Sequence, residues 1–134
     1  MTRKPKLLVT DDERDICNFV KSFFEMRGFE VITALNGDEA MAKLLKERPD
    51  IVIMDVVMRR AREGLEYLPQ IKKILPSARV LMITGVDDAE TIELAQKLGA
   101  DDYITKPLVL EHLESMVLKM QRKGGRSLTT RQTN

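Results

Sequence analysis

Apolar and polar positions alternate along the chain in five blocks, each with a short apolar run followed by a stretch of helical periodicity. The clearest run is Ile51–Asp55, in which four apolar residues, three of them β-branched, lead directly into a carboxylate. A continuous apolar run of this length predicts a strand buried on both faces, as in a parallel sheet. Further runs predict strands over residues 6–10, 29–34, 79–84 and 102–105.

The stretches between these runs carry apolar residues three and four positions apart, which predicts amphipathic helices. Pro69 interrupts the third stretch, and proline is acceptable there only in the first turn of a helix. The predicted inward stripes of the five helices are Ile16, Phe19, Val20, Phe23 and Phe24; Ala40, Met41, Leu44 and Leu45; Leu65, Leu68, Ile71 and Leu75; Ile92, Ala95 and Leu98; and Leu110, Leu113, Met116, Val117 and Met120.

Five strands alternating with five helices predict an α/β fold with a parallel sheet, right-handed crossovers and helices on both faces. The 134 residues suit one domain, which we predict to cover residues 1–121. Residues 122–134 contain four basic residues and no acid and have no apolar periodicity. They are predicted to form a basic tail that is disordered or linker-like.

Composition limits the function classes. A net charge of +1, with 43% hydrophobic and 32% charged residues, is typical of a soluble globular protein and gives no argument for nucleic acid or membrane binding. No apolar run approaches the roughly 18 residues of a membrane span. Cys17 is the single cysteine, so no intramolecular disulfide can form and a reducing cytoplasm fits. Cys17 is predicted to pack in the core, because the sole His112 is distant in sequence.

Polar side chains follow the predicted strands where each one ends: Asp11 and Asp12, Asp55, Thr84 and Lys106. The carboxyl ends of parallel strands share one edge, so these groups are expected to form one pocket. Three carboxylates there repel one another, and an oxygen-only ligand set favours Mg²⁺, or Mn²⁺, over zinc. The ammonium and the hydroxyl suit phosphoryl oxygens. For the adjacent acids alone, helix capping is the alternative interpretation.

These stretches resemble the receiver domains of two-component response regulators, the CheY-like superfamily. The resemblance covers about residues 5–121 and is carried by the sequences LLVTDDE, IVIMDVVM, VLMITG and GADDYITKP, in this order and at this spacing. It implies a flavodoxin-like doubly wound sheet of five parallel strands in the order 2-1-3-4-5, with five helices.

The resemblance implies that Asp55 is a phosphoacceptor, which takes a phosphoryl group from a histidine kinase or a phosphotransfer protein. Mg²⁺ would be held directly by Asp12, Asp55 and the backbone carbonyl of Val57, with Asp11 contributing through water. Lys106 would pair with the phosphoryl oxygens. The expected role is that of a signalling phosphoacceptor rather than an enzyme, because an aspartyl phosphatase usually has a second aspartate where Val57 stands.

The resemblance also implies a switch. Thr84 would donate its hydroxyl to the phosphoryl group and Tyr103 would follow it, and the change would reach partners through the fourth helix, fifth strand and fifth helix. The Lys106–Pro107 peptide bond is expected to be cis.

Open alternatives are a receiver within a longer regulator, with nucleic acid contacted only by a DNA-binding output domain, and a phosphorylation-independent binding module. A monomer and a phosphorylation-dependent dimer are both compatible with the sequence.

The loop after Asp55 departs from the family pattern. Arg59 stands where the family often has proline, and Gly64 follows Asp55 by nine residues rather than eight, so one residue is inserted. With Arg60 and Arg62, Arg59 forms either a solvated loop or a basic patch for partners or the phosphoryl group. The geometry of the Val57 carbonyl is the feature that these changes affect most.

Two apolar residues are expected to affect the lifetime of the phosphoryl group. Val57 lies two residues after the acceptor, and Val86 lies two residues after Thr84. In the family these positions flank the path of the hydrolytic water. Valine cannot orient a water by hydrogen bonding, so slow self-dephosphorylation is predicted.

Overall fold

The computed structural model describes residues 3–85 and 89–124, with side chains as far as residue 122. Strands and helices alternate along this part of the chain, in agreement with the apolar pattern. Their bounds are β1 Lys6–Thr10, α1 Arg14–Glu25, β2 Glu30–Ala34, α2 Gly37–Glu47, β3 Ile51–Asp55, α3 Glu63–Ile74, β4 Arg79–Thr84, α4 Ala89–Lys97, β5 Asp102–Thr105 and α5 Leu110–Gly124.

The five strands form one sheet in the order β2-β1-β3-β4-β5, and every neighbouring pair is parallel. The predicted doubly wound, flavodoxin-like sheet is therefore confirmed. All five residues of β3 are buried, as expected for a central strand covered by helices on both faces. The order places β1 and β4 on either side of β3, so the ends of these three strands are direct neighbours.

The core consists of two layers, one on each face of the sheet. Side chains alternate between the two faces of the sheet along β3. Val52 and Met54 therefore pack in one layer, and Ile51 and Ile53 pack in the other. Helices α2, α3 and α4 cover the first layer, and α1 and α5 cover the second. Their buried contributions are Ala40, Leu44, Leu65, Leu68, Ile71 and Ala95 to the first layer, and Val20, Phe24, Leu113, Val117 and Met120 to the second.

Two residues of the predicted inward stripes point outwards. Phe19 is 68% exposed and Leu45 is 59% exposed. In α1 the buried side chains are Cys17, Val20 and Phe24, and Phe19 lies two residues, or about 200° of helical rotation, from Cys17. In α2, Leu45 is rotated by about 100° around the helix axis from the buried Leu44. The periodicity predicted both helices correctly, but it assigned too wide a face of each helix to the core.

Cys17 is buried, as predicted. Its thiol lies 3.4 Å from the backbone oxygen of Asp11 and 3.7 Å from that of Ala34. Burial, with the Asp11 carboxylate nearby, raises the pKa of the Cys17 thiol to about 11. The thiol therefore stays protonated at neutral pH and contributes to packing rather than to nucleophilic chemistry.

Pro69 lies well inside α3, as its seventh residue, and not in the first turn where proline was considered acceptable. It has no N–H to donate to the carbonyl of Leu65, so one bond of the helical ladder is lost. The helix continues through Pro69 because Leu65, Leu68 and Ile71 are all buried against the sheet. Tertiary packing outweighs the local cost of the proline.

The last helix is longer than predicted. α5 ends at Gly124, three residues past the predicted domain boundary at residue 121. The rest of the predicted basic tail, residues 125–134, lies outside the described residues, so its disorder stays a prediction. Among the helices that the structure describes, none combines the length and the apolar character needed to cross a lipid bilayer.

Candidate functional site

Backbone hydrogen bonds beyond the strand ends fix the loops at the carboxyl edge of the sheet. The N–H of Val56 donates to the Ile83 oxygen at 2.8 Å, and the N–H of Lys106 donates to the Thr84 oxygen at 2.8 Å. The pairing between β3, β4 and β5 thus continues one residue into each loop. As a result, the last residue of β3, the last residue of β4 and Lys106 are held in adjacent positions.

Asp55 and Lys106 form the central contact of the site. The Nζ of Lys106 lies 2.9 Å from Oδ2 of Asp55, and the Val57 N–H donates to Oδ1 at 3.0 Å. The Asp55 side chain is 1% exposed. Burial disfavours the Lys106 ammonium, but the bond and the charge of Asp55 outweigh it and raise the pKa of Lys106 above its ordinary value. The Lys106 amine is therefore protonated beside the carboxylate at neutral pH.

Asp11 is buried next to this pair. Its Oδ1 accepts a hydrogen bond of 2.8 Å from the Glu13 N–H. Burial raises the pKa of Asp11 to about 7 against the effect of that bond, and the neighbouring Asp55 carboxylate adds to the rise. The raised pKa means that a second negative charge beside Asp55 is unfavourable, and this is the repulsion that a bound cation relieves.

The carboxylates that cluster most tightly are Asp11, Asp12 and Glu13. Each offers one oxygen, and these oxygens all lie within 4.8 Å of one another. Asp12 and Glu13 are exposed and Asp11 is buried. Oxygen-only donors of this kind fit Mg²⁺ or Mn²⁺. Asp55 is outside this tight group but adjoins it through Asp11.

The alternative interpretation, that these acids cap α1 and complement its dipole, is tested only for the capping hydrogen bond. Glu13 occupies the N-cap position of α1, and its side chain makes no capping hydrogen bond. Glu13 was not predicted as a candidate ligand. The sequence signal was the acidic residue directly after Asp12. The Asp11 side chain accepts a hydrogen bond from the Glu13 N–H, and this turn accompanies the close approach of the Glu13 carboxylate to those of Asp11 and Asp12.

The predicted switch residues lie on β4 and β5: Thr84 is the last residue of β4, and Tyr103 is the second residue of β5. Thr84 is buried beside Thr105, and Tyr103 is half-buried opposite Met82, against the layer covered by α2, α3 and α4. Movement of Thr84 and Tyr103 between two arrangements stays a prediction. The Lys106–Pro107 peptide bond is cis, as the resemblance implies.

The three arginines of the loop between β3 and α3 are all engaged in ion pairs. Arg60 pairs with Glu66, and Arg62 lies 3.7 Å from Glu90 of α4. Arg59 pairs with Glu63 at 3.0 Å. Each arginine is thus paired with a glutamate of α3 or α4, and these pairs offset the positive charge of the loop.

Gly64 is required where it stands, despite the inserted residue. A Cβ at this position would lie 2.1 Å from the backbone oxygen of Asp55. The Gly64 N–H also donates to the Val56 oxygen at 2.9 Å. The first turn of α3 therefore rests directly on the end of β3, with no room for a side chain between them.

A small cleft opens beside the Asp55–Lys106 pair. Its volume is about 150 Å³. Four apolar residues, two acids and Lys106 line it: Ile16, Ile83, Pro107, Leu108, Asp11, Glu13 and Lys106. Asp55 is not among the lining residues and adjoins the cleft only through its contact with Lys106. Val86, expected to flank the hydrolytic water, lies outside the described residues.

The fold and the acidic edge define a CheY-like α/β domain. The chain belongs to the response regulator receiver domain family, whose model matches residues 7–118. It is thus a receiver domain of the two-component regulators.

Similar proteins include transcriptional regulators. The chain is 35% identical over 119 residues to the alkaline phosphatase synthesis transcriptional regulatory protein PhoP of Bacillus subtilis, covering 89% of this chain and 49% of PhoP. It is 37% identical over 108 residues to the nitrogen assimilation regulatory protein NtrX of Azorhizobium caulinodans, covering 80% of this chain and 24% of that protein. The chain therefore spans half or less of the length of these relatives.

Two of the similar solved structures share the fold over almost their full length. A two-component response regulator from Clostridium difficile superposes with a TM-score of 0.85 at 26% identity, covering 91% of this chain and 99% of that one. A CheY-like response regulator receiver domain protein from Methanospirillum hungatei superposes with a TM-score of 0.83 at 28% identity, covering 92% of this chain and 99% of that one.

Proposed function

We propose that this receiver accepts a phosphoryl group on Asp55 from the phosphohistidine of a histidine kinase or a phosphotransfer protein. The observation that carries the proposal is the contact at 2.9 Å between the buried Asp55 carboxylate and the Lys106 ammonium, at the carboxyl edge of the sheet. Lys106 balances the charge of Asp55 before transfer, and its ammonium is placed to meet phosphoryl oxygens afterwards.

The transfer step requires no further nucleophile. An oxygen of the Asp55 carboxylate attacks phosphorus, the phosphorus–nitrogen bond to the donor imidazole breaks, and the imidazole leaves with that electron pair. Lys106 and the hydroxyl of Thr84 stabilise the charge on the phosphoryl oxygens. The side chain of Val57 cannot act as an acid or base, so Asp55 functions as an acceptor within a signalling protein rather than as the nucleophile of a phosphatase.

The acidic residues at the edge would hold a divalent cation. Asp12, Asp55 and the Val57 carbonyl are the proposed direct ligands of Mg²⁺, or of Mn²⁺, and Asp11 contributes through water. The tight group of Asp11, Asp12 and Glu13 supports an oxygen-ligated ion at this place. When bound, the ion supplies positive charge that lowers the repulsion between the carboxylates and the incoming phosphoryl group.

The signal is proposed to leave through α4, β5 and α5. A phosphoryl group on Asp55 favours the arrangement in which Thr84 and Lys106 contact it, and Tyr103 follows Thr84. The half-buried position of Tyr103 at the border of the core supports this role, because such a side chain can repack.

A receiver within a longer regulator is the second candidate. It is favoured by the names and lengths of the transcriptional regulators PhoP and NtrX, of which this chain matches 49% and 24%. DNA binding would then belong to an output domain outside the matched region. The full reading frame of the gene tests this candidate, since it requires coding sequence for a further domain.

The central test is phosphorylation by a small donor. The protein is incubated with Mg²⁺ and acetyl phosphate, and intact mass is measured. We expect one phosphoryl adduct in the wild type, none in Asp55→Asn, and an unchanged adduct in Asp15→Asn, which alters an exposed aspartate of α1. An equal adduct in Asp55→Asn would refute the assignment. Absence of any adduct in the wild type would favour a phosphorylation-independent binding module.

A further inference from the structure

Glu63 is a fully buried carboxylate that the phosphoacceptor chemistry does not use. It is 0% exposed although it is charged and lies at the start of α3. Its Oε1 accepts a hydrogen bond of 3.0 Å from the Arg59 N–H, and its Oε2 accepts one of 3.0 Å from the Arg59 guanidinium. Burial alone would favour the neutral acid, but the bonds from Arg59 outweigh it and hold the pKa of Glu63 below its ordinary value.

This contact closes the loop that carries Val57. On one side of Val57, the Val56 N–H donates to the Ile83 oxygen and the Val56 oxygen accepts from the Gly64 N–H. On the other side, Met58 is buried in the core and Arg59 is held by Glu63. Val57 is thus the link between two anchored segments, and its peptide groups have little freedom to turn.

The same loop offers an ion pair of a different kind. Arg60 and Glu66 also contact each other, but their side chains are 54% and 53% exposed. Surface pairs of this type contribute little, because both partners are well solvated. A buried carboxylate with two donors from one residue, by contrast, fixes both the backbone and the side chain of that residue.

We propose that Arg59 and Glu63 are positioning residues of the cation and phosphoacceptor site. Their paired contact holds the loop after β3 so that the carbonyl of Val57 faces the acidic edge beside Asp55. This inference rests on the proposed function, in which that carbonyl is a ligand. Arg59 and Glu63 are not among the proposed ligands of the ion or of the phosphoryl group, and they would act only through the backbone between Val56 and Arg59.

The test measures cation binding directly. Mn²⁺ is titrated into the full chain and followed by electron paramagnetic resonance, with Glu63→Gln and Arg59→Ala as the principal variants. We expect each to weaken Mn²⁺ binding by about tenfold, the lower end of the effect of lost outer-shell contacts around a metal. Arg59→Lys, which keeps the charge, should recover part of the affinity. Arg60→Ala is the matched control and should bind Mn²⁺ as the wild type does.

Two further readouts separate positioning from general stability. In acetyl phosphate reactions, the Mg²⁺ concentration for half-maximal rate should rise in Glu63→Gln and Arg59→Ala, whereas the rate at saturating Mg²⁺ should change less. The amide resonances of Val57 and Met58 should shift in the same variants. Arg59→Ala leaves the buried Glu63 carboxylate without its cation, whereas Glu63→Gln removes the buried charge itself and keeps an acceptor for the Arg59 N–H. Glu63→Gln therefore provides the folded variant if Arg59→Ala is too unstable to study.

The outcomes distinguish this proposal from the proposed function. If the wild type binds Mn²⁺ and both principal variants bind it equally well while their thermal midpoints fall, the pair is structural and only the positioning role is overturned. If the wild type binds no Mn²⁺ and forms no phosphoryl adduct, the proposed function fails and this inference fails with it.

Discussion

Thr10 is the last residue of β1, and its hydroxyl is buried without a hydrogen-bond partner among the residues that the structure describes. It lies between Ala34 of β2 and Met54 of β3 in the sheet register. A buried hydroxyl without a partner loses its hydration and gains nothing in return. The position directly before the acidic edge therefore carries a local cost in stability.

We expect Thr10→Val to raise the free energy of unfolding by about 1 kcal/mol, because it removes the unpaired hydroxyl while keeping the shape of the side chain. Urea denaturation with a common slope measures the change. Thr33→Val, in the less buried β2, is the control and should change stability by less than about 0.5 kcal/mol. A loss of stability in Thr10→Val would show that its hydroxyl has a partner.

Asp11 makes the stability of the metal-free protein depend on pH. Its pKa rises from an ordinary 3.8 to about 7 in the folded chain, because of burial and the nearby Asp55 carboxylate. Between these values the folded state binds more protons than the unfolded state, so stability falls as pH rises through this window. Three other acids have lowered pKa values: Glu39, Asp50 and Glu63. Their contribution to stability is lost only as pH falls below this window.

In EDTA, the wild type should therefore unfold at a higher urea concentration at pH 5 than at pH 8. Asp11→Asn should show a smaller difference, since its side chain does not titrate. Added Mg²⁺ should stabilise the wild type most at pH 8, where the carboxylates are ionised. A urea midpoint that rises from pH 5 to pH 8 in EDTA would contradict the raised pKa of Asp11.

At the scale of single elements, the apolar pattern predicted the existence and order of every strand and helix. It could not fix which residues of a helix face inwards, as Phe19 in α1 and Leu45 in α2 show. Pro69 was misjudged because local preference ignores the burial of the residues around it. The Glu63 contact was equally hidden, since a buried charge can be recognised only when its partner is known.

The junction between β3 and α3 depends on Gly64. We expect Gly64→Ala to destabilise the chain by about 2 kcal/mol or more, because the added Cβ meets the Asp55 oxygen and forces the helix away from the strand. Gly85→Ala is the control, since nothing lies within 4 Å of a Cβ there. Thermal unfolding of both variants gives the comparison, and equal stability of the two would contradict the close approach.

At the scale of the whole molecule, parallel strands explain why so much of the site could be predicted. Polar residues at the ends of β1, β3, β4 and β5 must meet once these strands are neighbours in one sheet. The arrangement within the edge could not be predicted: Glu13, not Asp55, completes the tight carboxylate group, because a turn by the Asp11 side chain decides it. The pairing of the three loop arginines with glutamates of α3 and α4 was likewise beyond the sequence.

The lifetime of the signal is also a property of the whole molecule. We expect slow decay of the phosphorylated wild type and faster decay in the double variant Val57→Asn with Val86→Glu, because polar groups can orient the attacking water. Val57 is half-exposed beside Asp55, which supports its part in this prediction. Loss of the phosphoryl adduct over time, followed by intact mass, measures both rates. Equal rates would show that these two positions do not govern hydrolysis.

The contact between Lys106 and Asp55 joins more than two side chains. Asp55 ends β3, Lys106 follows β5, and the Lys106 N–H is bonded to the Thr84 oxygen at the end of β4. A group inserted between the carboxylate and the ammonium would therefore meet the ends of three strands at the same time. A small chemical addition at this point would be mechanically shared by β3, β4 and β5, three of the five strands of the sheet.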